Sequence, residues 1–371
     1  MDMDFTPEQE LLRESVRRTC QRHAGTDMIR KLENDPVGYP PALWTALGEL
    51  GLLGLTLPEE HGGSGMNILD GVIVYEEFGR ALTPSPHFVS SVLAAGFLQR
   101  AGTPAQQQQW LPRIAAGDAI VSIGWLEPDG GFGRDGVRTR LTSNGGNATV
   151  DGEKWHVPFA RAAEALFVLA RSDDGVVAAV VDPNDAGVTL EQQLTVASDT
   201  QYAVGCSGAR AADVVGAGDA WPQWHATMLD AVILAAAQAV GGARAALELT
   251  VDYAKKRQQF DRPLGAFQSI AHYLSDATAA VDGAQTLVWQ AAWARLEDRP
   301  VDTLAPMAKL YACRAFRDVT AMAQQVFGGN GFTLDFDVQL YFRRAKSLQL
   351  NWWDDRHLEE LVATELLGAP A

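Results

Sequence analysis

Residues 257–268 read RQQFDRPLGAFQ, which sets two arginines, two phenylalanines and a Pro-Leu-Gly break at the C-terminal end of a long apolar run. A solvated helix end needs only a glycine or asparagine cap. Arginines beside aromatic faces suit a planar, phosphate-bearing ligand, because guanidinium forks match phosphate oxygens and stack on rings. A second signal, QQVFGGNGF, occupies residues 324–332. It follows a helical pattern and not a strand, so it is not the G-x-G-x-x-G turn of a dinucleotide fold. It reads either as a helix closed by a left-handed glycine or as backbone left bare for a ligand to approach where no Cβ stands.

The elements that must carry these residues fall into three parts. Residues 1–118 have helical period, with Thr6 and Thr103 as N-caps before Pro7 and Pro104. Residues 119–220 hold short apolar or alternating runs, among them IVSIGWL, NATVDGEKWHV, ALFVLARS and VVAAVVDP, separated by Asp-Gly, Gly-Gly and Asp-Pro turns. These predict a compact β domain of about seven strands. Residues 221–371 return to helical period: a helix near 30 residues ending at Arg257, two more long helices, and a last one over 355–367. Long helices with short links make a four-helix bundle. The fold class is α+β multidomain: an N-terminal all-α domain, a middle antiparallel β domain and a C-terminal four-helix bundle. Strands do not alternate with helices, so a doubly wound nucleotide fold is disfavoured.

Composition narrows the partners. The 371 residues include 30 basic and 46 acidic side chains, a net charge of −16. A broad nucleic-acid footprint is excluded, and an anionic ligand must be held by locally focused cations. Cys20, Cys206 and Cys313 form no metal-ligand spacing and read as buried, reduced thiols. The acidic, amphipathic N-terminus is neither a signal nor a transit peptide, and no uncharged run approaches membrane-spanning length. A cytoplasmic protein without a membrane partner is expected.

RQQFDRPLGAFQ followed by QQVFGGNGF resembles the R-x-x-F-G-x-x-L-x-x-F-Q and Q-x-x-G-G-x-G pattern of the acyl-CoA dehydrogenase family. The resemblance extends through LPEEHGGSGM, the WLEP turn and GEKW. It implies FAD, with the flavin between the β domain and the bundle and the adenosine half reaching a neighbouring subunit. By matching positions, Arg257 would meet the pyrophosphate, Phe260 would pack near the adenine end, and Phe267 would be a further cofactor-binding residue. Gln268, Gln325, Gly328 and Gly329 would complete the cross-subunit contacts. Trp125 and Leu126 would form the turn before the flavin ring, and Trp155 would lie beside it. His156, next to Trp155, is the histidine closest to that ring in sequence.

The sequence departs from the family at several points. Asp261 stands where a glycine is usual; aspartate tolerates left-handed backbone, but its charge repels a pyrophosphate. Val157 replaces a hydroxyl residue that would bond the flavin near N5. The family's basic glutamate falls at Trp352, or in some members at Ala231, and the arginine that often follows the latter falls at Val232. The neighbouring carboxylates Asp230 and Asp354 become the candidate bases, although Asp354 and Asp355 also suit the cap of the following helix. Glu127 and Glu76–Glu77 read as structural. The resemblance implies α,β-dehydrogenation of an acyl-CoA, with electrons leaving through FAD to an electron-transfer flavoprotein, in a homo- or hetero-oligomer (dimer or tetramer). Trp352 and Trp353 would shape the pocket for a bulky or ring-bearing acyl group. The alternative is a non-catalytic subunit that completes the FAD site of a paralogue.

Overall fold

The computed structural model describes residues 5–144 and 147–368. Six helices come first: α1 (Pro7–His23), α2 (Thr26–Lys31), α3 (Pro41–Glu49), α4 (Ile68–Arg80), α5 (Ala95–Ala101) and α6 (Pro104–Ala116). Seven strands follow: β1 (Val121–Gly124), β2 (Arg140–Asn144), β3 (Asn147–Pro158), β4 (Ala165–Arg171), β5 (Val176–Val181), β6 (Val188–Gln193) and β7 (Gln201–Val215). Then come α7 (Trp221–Lys256), the two-residue strands β8 (Gln258–Gln259) and β9 (Arg262–Pro263), and helices α8 (Gln268–Leu296), α9 (Leu304–Phe327), α10 (Val338–Leu350) and α11 (Asp355–Leu367). Thr6 and Thr103 both close capping boxes, with Gln9 and Gln106 returning the bond to the cap.

By packing, the chain divides into two compact units. One comprises residues up to Ile29, Asn67–Thr83 and Val232 onward; the other comprises Arg30–Met66 and Pro84–Ala231. The N-terminal helices are thus shared between the units, and α7 runs from one into the other.

The sheet of the second unit has the expected seven strands but is mixed rather than wholly antiparallel. β1 runs parallel to β4, from Val121↔Ala165 to Gly124↔Val168, and β2 meets β4 in parallel at Arg140↔Arg171. The remaining pairings are antiparallel. Short turns force antiparallel neighbours, whereas β1 and β4 are separated by the whole β2–β3 excursion, long enough for a crossover.

In the first unit α9 packs against α8, α10 and α11. Helix α10 adds to the four helices read from the sequence. Its polar run RRAKS masks an apolar face made of Val338, Leu340, Tyr341 and Ala345. Helices α4 and α7 touch backbone to backbone: a Cβ on Gly79 would lie 1.9 Å from the Gln238 carbonyl oxygen, and one on Gly241 1.8 Å from that of Glu76. Only glycine permits that approach. By length and composition α7 could cross a membrane, but 83% of its most apolar stretch is buried within the protein, which marks a core helix.

The close approach of α4 and α7 leaves a polar groove of about 320 Å³ beside Arg17, Glu76, Glu77 and Arg244. Arg17 forks onto the Glu77 carboxylate at 2.8 and 2.6 Å, fastening α1 to α4. Glu76 accepts from Trp289 Nε1 at 3.0 Å. Burial nevertheless pushes its carboxyl up to about 7, from 4.5. The folded protein therefore holds this proton between pH 4.5 and 7 while the unfolded chain releases it, so stability falls as pH rises through that window. At about 1.4 kcal/mol per pKa unit the effect is on the order of 3 kcal/mol. Glu76→Gln, neutral and of the same shape, is expected to raise the melting temperature at pH 8 and to leave it nearly unchanged at pH 4.5. Equal shifts at both pH values would contradict this account.

Candidate functional site

The two glycine- and arginine-bearing motifs, far apart in sequence, meet in the first unit. Tyr253, in the last turn of α7, stacks on Phe327 at the end of α9, with ring centroids 4.0 Å apart and planes 14° from parallel. Asn330 Nδ2 donates to the Tyr253 hydroxyl at 3.1 Å. Phe336 packs edge-on against both rings. The helix ends are thereby fixed relative to each other, and the candidate ligand residues project from them.

Beyond α7 the chain turns in the β8–β9 hairpin. Phe260 (φ 54°) and Asp261 (φ 60°) both take left-handed backbone, as a type I′ turn requires. Aspartate therefore serves where the family pattern has glycine. Phe260 is 87% exposed and sets its ring edge-on to Phe267, which lies 4.0 Å beneath the Arg262 guanidinium. Arg257, Gln268 and Gln325 are all exposed. Among the described residues, no hydrogen bond or ion pair engages their side chains. Gly328 has φ 62° and ψ −138°, and a Cβ on it or on Gly329 would meet nothing within 4 Å. The result is a ledge of free cation, free amides and bare backbone.

The second unit carries the other predicted residues. Trp125, 5% exposed, packs against Trp224 and Phe132 with centroids 5.3 and 5.7 Å away. Leu126 accepts from the Trp155 backbone N–H at 2.9 Å, which ties the WLEP turn to β3. Lys154 pairs with Val204 and Val157 with Tyr202, so β3 holds one extra residue there. That bulge re-aims Trp155, which is 39% exposed. His156 sits in the bulge at φ 55°, with its ring Nδ1 3.1 Å from Gln201 Oε1. Val157 is buried and offers no hydroxyl.

Neither candidate base stands free. Asp230 is ion-paired with Arg100 of α5, whose Nη1 donates to the Gly96 carbonyl at 3.1 Å. Ala231 and Val232, next on the helix, are fully buried. Asp354 is the N-cap of α11, accepting from the His357 N–H at 2.9 Å. Asp355 binds Arg314 Nε at 2.8 Å. Trp352 and Trp353 both have positive φ, 57° and 70°.

Comparison with known proteins gives the family. Residues 6–118 match the model "Acyl-CoA dehydrogenase, N-terminal domain", and residues 221–351 match "Acyl-CoA dehydrogenase, C-terminal domain". The probable acyl-CoA dehydrogenase YngJ of Bacillus subtilis is 31% identical over 99% of this chain and 100% of its own. The chain belongs to the acyl-CoA dehydrogenase family. Among solved structures, the ChsE4–ChsE5 complex from Mycobacterium tuberculosis superimposes with a TM-score of 0.91 at 28% identity, covering both chains fully. Butyryl-CoA dehydrogenase from Megasphaera elsdenii gives 0.90 at 26% identity, over 99% of this chain and 100% of that one.

Acyl-CoA dehydrogenases are FAD-dependent oxidoreductases acting on a CH–CH bond. The ledge fits that cofactor's phosphate-bearing half: a free guanidinium, amides without partners, and two glycines whose missing Cβ atoms leave open space.

Two buried lysines were not singled out from the sequence. Lys309 lies inside the apolar stripe Ala305, Ala308, Ala312, Cys313, Phe316 of α9, and a lone lysine on such a stripe is the available signal. Its Nζ donates to the carbonyls of Leu348, Gln349, Asn351 and Trp353 at 2.7–3.2 Å, gripping the α10–α11 turn. Lys154 has the same parity along β3 as Val150, so strand alternation alone turns it inward. The geometry of Asp354 yields a direct test. Asp354→Ala is expected to lower stability by about 1 kcal/mol through loss of the cap, and Asp354→Asn by far less, since asparagine caps as well. Chemical denaturation of both variants checks this; equal losses would remove the capping role.

Proposed function

We propose that this chain takes part in the α,β-dehydrogenation of an acyl-CoA thioester as one subunit of an oligomer, its α7 and α9 ends offered to a neighbour's FAD. The observation that supports the reading is that Arg257, Gln325 and Gly328–Gly329 are all exposed at the two helix ends joined by the Tyr253–Phe327 stack, with Gln268 exposed at the start of α8. Arg257 would pair with the pyrophosphate, and Phe260 with Phe267 would present ring faces to the adenine. Trp125, Leu126 and Trp155 would line the isoalloxazine side. When bound, FAD would supply the acceptor for the hydride from the β-carbon.

The α-proton needs a positioned carboxylate, and Asp230 is the candidate nearest the family's alternative position. Its pair with Arg100 would have to be shared with or released toward the substrate. Three buried free thiols suit a reducing cytoplasm, and an electron-transfer flavoprotein is the proposed electron acceptor.

The second reading, in which the chain completes the FAD site of a catalytic paralogue, is not the one the acyl-CoA dehydrogenase relatives favour, but it has a specific motive. Both positions where the family places its base hold apolar residues, Ala231 and Trp352, and one solved relative is a complex of two separately named chains. Purification alone and after co-expression with a paralogue, with flavin absorbance and acyl-CoA-dependent dye reduction, separates the two. A yellow, active chain on its own supports the first reading; colour and turnover only after co-expression support the second; no flavin in either state removes both.

Where flavin binds, Arg257→Ala is expected to weaken its retention about ten- to a hundredfold, the worth of one charge-assisted phosphate contact. Asp261→Gly keeps the left-handed turn, removes the repelling charge and should tighten retention severalfold. Unchanged turnover in both Asp230→Asn and Asp354→Asn would clear those residues of the base's role.

A further inference from the structure

The β unit contains an ion pair that the chemistry above leaves unused. Lys154 Nζ lies 2.6 Å from Glu127 Oε1, with the two side chains only 1% and 7% exposed. Burial works against ionisation of Glu127, but the Lys154 charge and the N–H groups of Thr139 and Arg138 outweigh it and hold the carboxyl below its ordinary value. Burial lowers Lys154 to about 8, with Glu127 opposing the shift, so both remain charged at neutral pH.

Stability is a poor explanation for such a pair. Desolvating two ions costs as much as their attraction returns, and apolar replacements of equal volume often fold as well or better. The bonds themselves suggest a different use. The single oxygen Oε1 of Glu127 collects the backbone N–H of Arg138 and of Thr139, each at 2.9 Å, as well as Lys154 Nζ. It therefore closes the neck of the 127–139 loop and bolts that neck to β3. Lys154 Nζ also reaches the Trp125 carbonyl at 3.5 Å, and the next residue along β3, Trp155, donates its N–H to Leu126. Residues 125, 126 and 127 are thus each held from β3 by one of two adjacent residues. Gly124 makes room for the arrangement, since a Cβ there would stand 3.1 Å from Lys154 Cγ.

The bulge begins just after Lys154. A bulged strand has lost part of its ladder, and Trp155 and His156 are the residues it exposes. The ring of Trp155 itself is tethered through Nε1, which donates to Glu153 Oε1 at 2.6 Å, while the backbone that carries it is flanked by the inward-facing Lys154, the adjacent fixed point.

We infer that the Lys154–Glu127 pair is a positioning element for the isoalloxazine-side wall, fixing the backbones of Leu126 and Trp155 relative to each other so that a flavin meets one rigid surface. The inference rests on the proposed flavin role of Trp125, Leu126 and Trp155; Lys154 and Glu127 themselves need not touch the cofactor.

The test uses the FAD-loaded protein in its natural assembly, with Glu127→Gln, Lys154→Met and Lys154→Arg. Flavin dissociation, the visible flavin band and the flavin midpoint potential are measured at saturating FAD, alongside thermal melting. A positioning role predicts that Lys154→Met weakens flavin retention at least about tenfold, the scale at which a loosened supporting shell misplaces a site. It also predicts an altered visible band and potential when FAD is saturating, with Lys154→Arg recovering part of the change. A merely structural pair would lower the melting temperature while band and potential match the wild type, and that result overturns the inference. If Lys154→Met does not fold, Glu127→Gln carries the same comparison, because it keeps an acceptor for the two backbone N–H groups and loses only the charge. Wild type without flavin would overturn the proposed function and this inference together; wild type with flavin and unchanged variants overturns this inference alone.

Discussion

The site depends first on one aromatic stack. Tyr253 and Phe327 close two helices whose ends lie more than seventy residues apart in sequence, and their near-parallel rings set both the distance and the rotation between those ends. A helix terminus normally frays, because its last carbonyls have no intrahelical partner. Here the final turn of α7 is held by a ring face, by the Asn330–Tyr253 hydrogen bond and by the bond from the Leu264 N–H to the Arg257 carbonyl. Arg257 therefore starts from a fixed backbone, and the entropy of placing its guanidinium is confined to the side chain.

The electrostatics of the ledge run against two larger fields. The protein carries sixteen net negative charges, and a helix C-terminus adds roughly half a negative charge of its own. Both disfavour a pyrophosphate at the end of α7. The sequence counters them locally: Lys255 and Lys256 occupy the last turn, and Arg257 and Arg262 follow, against Asp252 and Asp261. Screening confines exposed charges to about a Debye length of 8–10 Å, so this cluster governs what an anion meets at the ledge while the distant acids do not. An anion approaching the ledge would meet focused cations, whereas the rest of the acidic surface repels it.

Local chemistry was legible in the sequence, and pairings across the chain were not. The capped starts of α1 and α6, the extent of α11 and the glycine-ended α9 follow from cap residues and helical period, which act within a few positions. Arg257 and Gly328–Gly329 stood out through the spacing and family resemblance of their two motifs and not through their types, since glycine is the ordinary helix-ending residue. The parallel partnering of β1 with β4 was hidden, since strand periodicity records which face is buried but not which neighbour pairs. The ion pairs of Asp230 with Arg100 and of Lys154 with Glu127 were hidden for the same reason, as each joins elements that only the fold brings together. Position along β3 did turn Lys154 inward; what it met there could not be read.

The α10–α11 turn shows how a fold can hold a geometry that its own residues disfavour. Two consecutive tryptophans in left-handed backbone each cost about 1–2 kcal/mol relative to glycine. Nothing in Asn-Trp-Trp-Asp-Asp prefers that path. It is imposed from below by Lys309, whose ammonium has three protons to share among the carbonyls of Leu348, Gln349, Asn351 and Trp353, and from beyond by Asp354, which caps α11. A charge-assisted hydrogen bond contributes about 1.5–3 kcal/mol, so two or three of them are of the size needed to offset the backbone term. The turn is therefore set by a residue some forty positions upstream. The shape of the backbone at Trp352 does not require a glutamate there, so this position could exchange a carboxylate for an indole without losing the turn that presents it.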